Sequence, residues 1–387
     1  MSGLRFGLSL SMQGRGGKAW KPSDLFETGS GFLYDFSRAD TLFQEATGIT
    51  PAAVDQNVGL ALDISKWGGK TLAQVLAGQP ELVVNGNFDV DISGWTNVGG
   101  STAIWSSGVM QITADAGFVG GRYQDVTISS GARVEISARC RRLSGTSPLN
   151  LVAYVGGAFT TLIGIRQVTE GDFITATLRV SPGGTSIRVY FQAVNGNGVF
   201  EVDNVSVKEI PGNHASQATS GARPVLKAGG LTRYDGSDDN LLTTFKFDAG
   251  GKGSLALKFN KAVGNSSQIL IGARNASTDD VILVLEADGR ILANVGTGAN
   301  LTGGSNRAGQ TAIAVLTWDG TTVNLYSDEG LLASQSQSGS VTIANAVALA
   351  ASSVASLFAS VDIYQALAIN RALTPAEVLK LTNAWSH

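Results

Sequence analysis

The chain has 387 residues, 43% hydrophobic and only 15% charged, and its 49 glycines are nearly double the usual share. That length exceeds one ordinary β-sandwich and suits two domains plus an extension. A formal net charge of −3 without a basic stripe argues against a nucleic-acid binder, and sparse charge with abundant Gly, Ser, Thr and Val describes short strands joined by tight turns.

Residues 1–25 hold Arg5, Arg15, Lys18 and Lys21, with no acid before Asp24 and no sustained period. They read as a solvated arm, or as a docking strand on an acidic partner. Phe6–Met12 is broken by serines and no small-residue cleavage site follows, so no signal peptide is expected. Strand patterns then dominate. Val109–Thr113, Tyr123–Ile128 and Asn150–Val155 read as strands. Arg133–Arg141 alternates, with Val134, Ile136, Ala138 and Cys140 inward and Arg133, Glu135, Arg139 and Arg141 outward. Phe173–Val180 and Ser186–Ala193 repeat the rhythm through Ile174, Ala176, Leu178 and Val180, and through Ile187, Val189, Phe191 and Ala193. In Phe200–Lys208 the inward set is Phe200 and Val202, then Val205 and Val207. This slip at Asp203–Asn204 would turn the strand inside out and predicts a β-bulge.

After about residue 225 a second strand set begins: Ser254–Phe259, Gln268–Gly272, Val281–Glu286, Arg290–Val295, Thr311–Trp318, Val323–Ser327 and Val361–Asn370. Asp288-Gly289 and Asp319-Gly320 lie between paired runs and predict hairpin turns. The one strong helix signal is Thr374-Pro375-Ala376-Glu377, an N-cap, a first-turn proline and a capping-box glutamate, with an apolar face through about Ser386. Cys140 is the single cysteine, so no internal disulfide forms, and its place in an alternating strand makes it a core thiol. Ile343–Ala359 is uncharged but too polar and too short to span a bilayer, so no membrane insertion is expected.

Two resemblances join these elements. Leu82-Val83-Val84-Asn85-Gly86-Asn87-Phe88-Asp89 with Gly94-Trp95, and the closing strand Phe200-Glu201-Val202-Asp203-Asn204-Val205-Ser206-Val207-Lys208-Glu209, resemble the opening and close of a galactose-binding-like carbohydrate-binding module. Gly230–Asp239, Leu316-Thr317-Trp318-Asp319-Gly320 and Ala368–Val378 resemble concanavalin-A-like (laminin-G-like) sandwiches of tailed-phage and prophage proteins. The phage flavour lies in Phe32-Leu33-Tyr34-Asp35-Phe36-Ser37 and Asp40-Thr41-Leu42-Phe43-Gln44. The pattern that continues such a front is split, with Gly59–Ser65 before the first module and Gly212-Asn213-His214-Ala215, Gln217-Ala218-Thr219 and Arg223-Pro224 after it. The fold implied is all-β with two β-sandwiches and a short C-terminal helix. A carbohydrate-binding-module-like jelly roll over 80–210 is inserted into a surface loop of a concanavalin-A/laminin-G-like sandwich made of 26–79 and 211–387. Trp67–Pro80 matches neither family and reads as a connector.

No catalytic constellation is legible. Few acids pair by motif as glycosidases require. His214 and His387 are the only histidines, and His214 reads as a structural hydrogen-bonding group. The first resemblance implies a structural calcium ion held by Asp89 and Asp203, with two solvated turn carboxylates as the alternative. Alternation places Arg139, Tyr154, Arg188, Tyr190 and Gln192 on the outward face of an exposed sheet, where aromatic rings and polar groups would take a host-surface glycan. Trp95 falls on a family position packed in the core. The expected function is a non-enzymatic virion protein of a phage, a tail fibre, spike or surface decoration made in the host cytoplasm. Its arm would join other virion subunits, and since such fibres and spikes are often trimers, a homotrimer is the expected state. The alternative is a carbohydrate-binding accessory module of a secreted adhesin or glycan-degrading enzyme.

Overall fold

Burying one face of each alternating strand produces four antiparallel sheets, of eight, nine, five and five strands. The computed structural model describes residues 19–386 apart from 115–119, 158, 194–197, 249–250, 262–266, 275–279, 297–298, 338–340, 342–344 and 352–357. The sheets pair into two β-sandwiches, each around its own apolar core. The two five-stranded sheets use only the strands from Thr96–Val98 to Gly198–Ile210. The eight- and nine-stranded sheets use the strands before and after that stretch, and form what we call the host sandwich. Leu60–Ala61 pairs directly with Ala215–Ser216, Ala61 opposite Ala215, so the chain leaving the host and the chain returning to it lie side by side.

The eight-stranded sheet is buried on both faces, which is why Thr311–Trp318 reads as an almost unbroken apolar run. One face meets the nine-stranded sheet; the other carries a third layer built from residues 22–28, 64–75 and the C-terminal helix. That helix, Pro375–Trp385, has the expected capping box of Thr374 and Glu377, and buries Val378, Leu381 and Trp385.

Two expectations change here. The arm ends earlier than residue 25, because Pro22–Thr28 is a 3-10 turn whose Leu25 and Phe26 are buried in the third layer. Residues 1–18, with Arg5, Arg15 and Lys18, lie outside the described residues. The stretch 67–80 is more than a connector: Trp67 is buried, and Leu72–Ala77 forms a helix whose Leu72 and Val75 join the same layer. Thr71 and Gln74 cap it reciprocally, at 3.3 and 3.0 Å. No helix among the described residues is long and apolar enough to cross a membrane.

The inserted sandwich follows the alternation closely. Val134, Ile136, Ala138 and Cys140 are in its core, as are Phe200, Val202, Val205 and Val207. The register of the last strand shifts between Asp203 and Ser206, with Asn204 at φ +48°, which is the bulge that keeps all four valine and phenylalanine side chains inward.

The two crossings between host and insert are tied by polar groups. Asp63 is fully buried, and its carboxylate accepts from the amides of Leu33 (2.9 Å), Ser65 (2.8 Å) and Asn213 (2.7 Å) and from the Ser65 hydroxyl (3.0 Å). It thus binds residues on both sides of the insert. Gly212, at φ +132°, passes so close that a Cβ there would lie 2.7 Å from Asp63 Oδ2, so only glycine fits. The buried ring of His214 accepts the Asp63 amide at Nδ1 (3.0 Å), which leaves Nε2–H to donate to Ile210 C=O (3.0 Å). Farther along, Arg179 of the insert donates to the Gly48 carbonyl, pairs with Glu135 at 2.7 Å and lies over the Phe43 ring.

Candidate functional site

The site is built on the sheet ordered Leu162–Val168, Leu149–Val155, Ser186–Ala193, Gly120–Thr127 and Thr96–Val98. Its inner face gives Ile187, Val189, Phe191, Leu149, Leu151 and Ala153 to the core, so the intervening residues face away from it. Strand register arranges these in three rows. Asp125, Arg188 and Tyr154 form one; Tyr123, Tyr190 and Val152 the next; Gly121, Gln192 and Asn150 the third.

Each row has a physical reason. Arg188 is bidentate to Asp125, at 2.7 and 2.8 Å, and its guanidinium lies 3.9 Å from the centroid of the Tyr123 ring. The hydrogen bonds to Asp125 raise its pKa further, so the charge is permanent, fixed in place and balanced. The Tyr190 ring leans over Gly121, where a Cβ would lie 1.8 Å from the Phe191 carbonyl oxygen and 2.9 Å from the ring, so only glycine fits there. Tyr190 is only 2% exposed, and burial, with Tyr154 adding to it, pushes its hydroxyl up to about 12. Neither that hydroxyl nor Asn150 Oδ1, on a residue 4% exposed, has a hydrogen-bond partner among the described residues.

Phe159, from the turn between Leu149–Val155 and Leu162–Val168, closes over this surface. Its ring meets Tyr123, Tyr154 and Tyr190 edge-on, at centroid distances of 5.5, 5.6 and 5.2 Å, and lies 4.3 Å from the Arg188 guanidinium. Such edge contacts contribute roughly 0.5–1.5 kcal/mol each. Leaving a tyrosine hydroxyl buried without a partner costs about 1–3 kcal/mol. Three such contacts match or exceed that cost, so the ring is held in place while part of its gain is offset by the unsatisfied hydroxyl beneath it.

Of the five outward residues expected from the sequence to bind a glycan, the structure brings four together: Tyr154, Arg188, Tyr190 and Gln192. Arg139 belongs to the other sheet of the insert, where it pairs with Asp203 at 3.3 Å and stacks with Arg141 on the Phe173 ring. Alternation gives the face of a strand, not the sheet it joins. Tyr123, Asn150 and Phe159 were not singled out in the sequence. Tyr123 and Asn150 obey the same alternation, whereas Phe159 sits in a Gly-Gly-Ala-Phe turn with no periodic signal.

The carboxylates expected to hold calcium are placed differently from one another. Asp89 is exposed, whereas Asp203 is buried, with Arg139 on one oxygen and the Asn204 amide on the other (2.7 Å). The group of three carboxylates close enough to share a metal ion, among the described residues, is Asp235, Asp238 and Asp239, with ligand atoms within 4.8 Å of one another. Burial pushes the Asp239 carboxyl up to about 6; the Asp235 amide opposes this, and the charges of Asp235 and Asp238 add to it. Trp95 is packed between Phe88 and Phe191, its Nε1–H donating to the Asn85 carbonyl.

No protein-family model and no curated protein matches the sequence. Among solved structures, the chain is similar to the enzymatically active domain of tailspike protein 4 of bacteriophage CBA120, at 18% identity and a TM-score of 0.29 over 34% of this chain. The matched part is 21% of that tailspike chain, so the chain spans about a fifth of it. It is also similar to a CBM4 carbohydrate-binding module, at 17% identity and a TM-score of 0.29 over 33% of this chain and 99% of the module. A third likeness is to the tandem CBM22 domain of Paenibacillus barcinonensis Xyn10C, at 12% identity and a TM-score of 0.32 over 77% of this chain and 92% of that one.

Proposed function

We propose that this chain is a non-enzymatic glycan-binding protein of a phage particle, and that the face bearing Tyr123, Tyr154, Arg188, Tyr190 and Gln192 is its sugar-binding surface. The observation that carries this reading is the combination of three tyrosines, a fixed arginine and two buried polar atoms without a partner among the described residues, on one face of one sheet. A sugar ring offers an apolar C–H face to aromatic rings and hydroxyls to amide and phenol groups, and this face supplies both.

The chemistry elsewhere supports binding over catalysis. His214 has both ring nitrogens engaged inside the host, and burial pushes the Cys140 thiol well above its ordinary range. The front segment, Phe32 to Gln44, resembles phage proteins and favours a virion setting. There the basic N-terminal residues would join other virion subunits, in a homotrimer, with the inserted sandwich presented to the host surface.

Binding is to be measured by electrophoresis of the purified protein through gels containing soluble polysaccharides, neutral and acidic. Tyr123→Ala and Tyr154→Ala are each expected to weaken retention about tenfold, equivalent to about 1.4 kcal/mol. Arg139→Ala, on the opposite sheet, is expected to leave it unchanged. A wild-type protein retained by none of the polysaccharides would sink the reading.

We further propose that calcium, which prefers several carboxylate oxygens, is held at Asp235, Asp238 and Asp239 rather than at Asp89 and Asp203. An ion bound only by the folded state stabilises by mass action, about 2.7 kcal/mol at a hundredfold excess over Kd. A chelator is therefore expected to lower the melting temperature of the wild type and of Asp203→Asn, but not of Asp239→Asn. Equal sensitivity in wild type and Asp239→Asn would rule out the triad.

A further inference from the structure

Phe159 is an unusual occupant for its position. It is 41% exposed, so it is not a core residue, yet it packs against Tyr190, whose hydroxyl is buried with no partner among the described residues. Native structures rarely leave a buried hydroxyl without a partner, and such cases call for a physical reason. The turn that carries Phe159 is anchored at its base by the Val155 amide donating to Thr161 C=O (2.9 Å), and it begins with Gly156 at φ +62° followed by Gly157. Two glycines ahead of the ring give the backbone there more conformational freedom than other residues would.

We propose that Phe159 is a built-in stand-in for the ligand, holding the place of a neutral sugar ring over Tyr123, Tyr154 and Tyr190 and leaving it when such a ring binds. This rests on the reading of the face as glycan-binding. A phenyl ring meets the tyrosines as the C–H face of a sugar would, but brings no group for Tyr190 Oη or Asn150 Oδ1; a sugar brings hydroxyls to both. The ligand is neutral because Arg188, the cation among these rings, is already balanced by both oxygens of Asp125. An acidic sugar would gain no unpaired positive charge there and would face the half-exposed Asp125 carboxylate.

The test has two arms. In the first, the ionisation of Tyr190 is followed by NMR of the full chain labelled at tyrosine Cζ, with the resonance assigned through Tyr190→Phe. Phe159→Ala is expected to bring the midpoint down from about 12 toward the ordinary value near 10, since burial is the main cause of its elevation. In the second arm, xylohexaose, cellohexaose and mannohexaose are the probes, with oligogalacturonate as the acidic comparison. Phe159→Ala is expected to bind the preferred neutral hexasaccharide about tenfold more tightly than the wild type, because the cost of moving the ring is gone. A midpoint that does not move overturns the proposal whatever binds. Weaker binding by Phe159→Ala overturns it as well, for the ring would then be a platform that the ligand needs. Preference for oligogalacturonate overturns the neutral class. A shifted midpoint with no hexasaccharide bound by either protein would leave Phe159 as the cover of this face and defeat the glycan reading instead.

Discussion

Asp63→Ala is expected to destabilise the host sandwich by about 4 kcal/mol, a loss otherwise seen for large cavities in a core. Four donors converge on this carboxylate, three of them backbone amides that have no other described acceptor. Each stranded buried donor costs roughly 1–3 kcal/mol. The sum is reduced because desolvation of the carboxylate, which pushes it up to about 6 against the opposing amides, is relieved at the same time. Asn213 is also only partly buried and can turn to water. Asp63→Asn retains one acceptor oxygen but aims an NH2 group at the remaining donors, so about half the loss is expected. Two sandwiches need not unfold together, so the transition to follow is that of the host. Replacing Trp95 and Trp105 by Phe leaves the fluorescence to host tryptophans, and urea unfolding then reads the difference. A change below about 1 kcal/mol would show that the crossing between the two sandwiches is held by strand pairing alone.

The contrast between Asp63 and the strands around it shows what a sequence makes legible. Ile187, Val189 and Phe191 can be placed in a core from alternation, because a strand with one buried face has a period of two and a slip exposes the whole set. The bulge at Asp203–Asn204 is visible for the same reason, as a break in that period. Helix Leu72–Ala77 escaped although Thr71 and Gln74 form a capping box, since six residues offer too short an apolar stripe to register. The N-terminal boundary slipped because Leu25 and Phe26 are isolated apolar residues whose burial depends on a layer assembled from residues far along the chain.

The candidate site was legible as a face but not as a neighbourhood. Tyr154, Arg188, Tyr190 and Gln192 share that face because two strands pair in register, which alternation alone does not reveal. Nothing in the spacing places Arg139 on the other sheet, nor shows that Asp125 lies opposite Arg188. Burial on an outward face is equally invisible: Tyr190 is 2% exposed, with the Phe159 ring from the turn after the neighbouring strand packed against it. Asp235, Asp238 and Asp239 stand in a recognisable motif, but only their fold around one turn brings three carboxylates within 4.8 Å.

Acidification is expected to weaken the host through His214, and the sign follows from the ring's burial. Desolvation first, and then the nearby charge of Arg133, lower its pKa from 6.5 to about 3, while the Ile210 carbonyl opposes them. Between those values the unfolded chain binds a proton at this residue and the folded chain does not. Stability therefore rises with pH in that window, and is lost as pH falls below about 6.5, at up to about 1.4 kcal/mol per unit. Asp63, whose own amide donates to the His214 ring, works the other way. Its folded pKa of about 6 exceeds its ordinary 3.8, so between those values the folded chain holds the extra proton and acidification stabilises it. The two nearly cancel between pH 6 and 4, and Asp239, also raised to about 6 by burial, adds to the stabilising side there, so the contribution of His214 is read by comparing the wild type with a variant at this position. His214→Gln keeps an acceptor and a donor but cannot titrate, which removes one of the opposing terms. Its stability relative to wild type is expected to grow as pH falls, reaching about 2–3 kcal/mol at pH 4.5 relative to the difference at pH 7. Urea midpoints measured at half-unit steps would show this divergence. Parallel profiles for the two proteins would mean that the ring takes up a proton in the folded state, and that the hydrogen bond from the Asp63 amide to Nδ1 does not persist in acid.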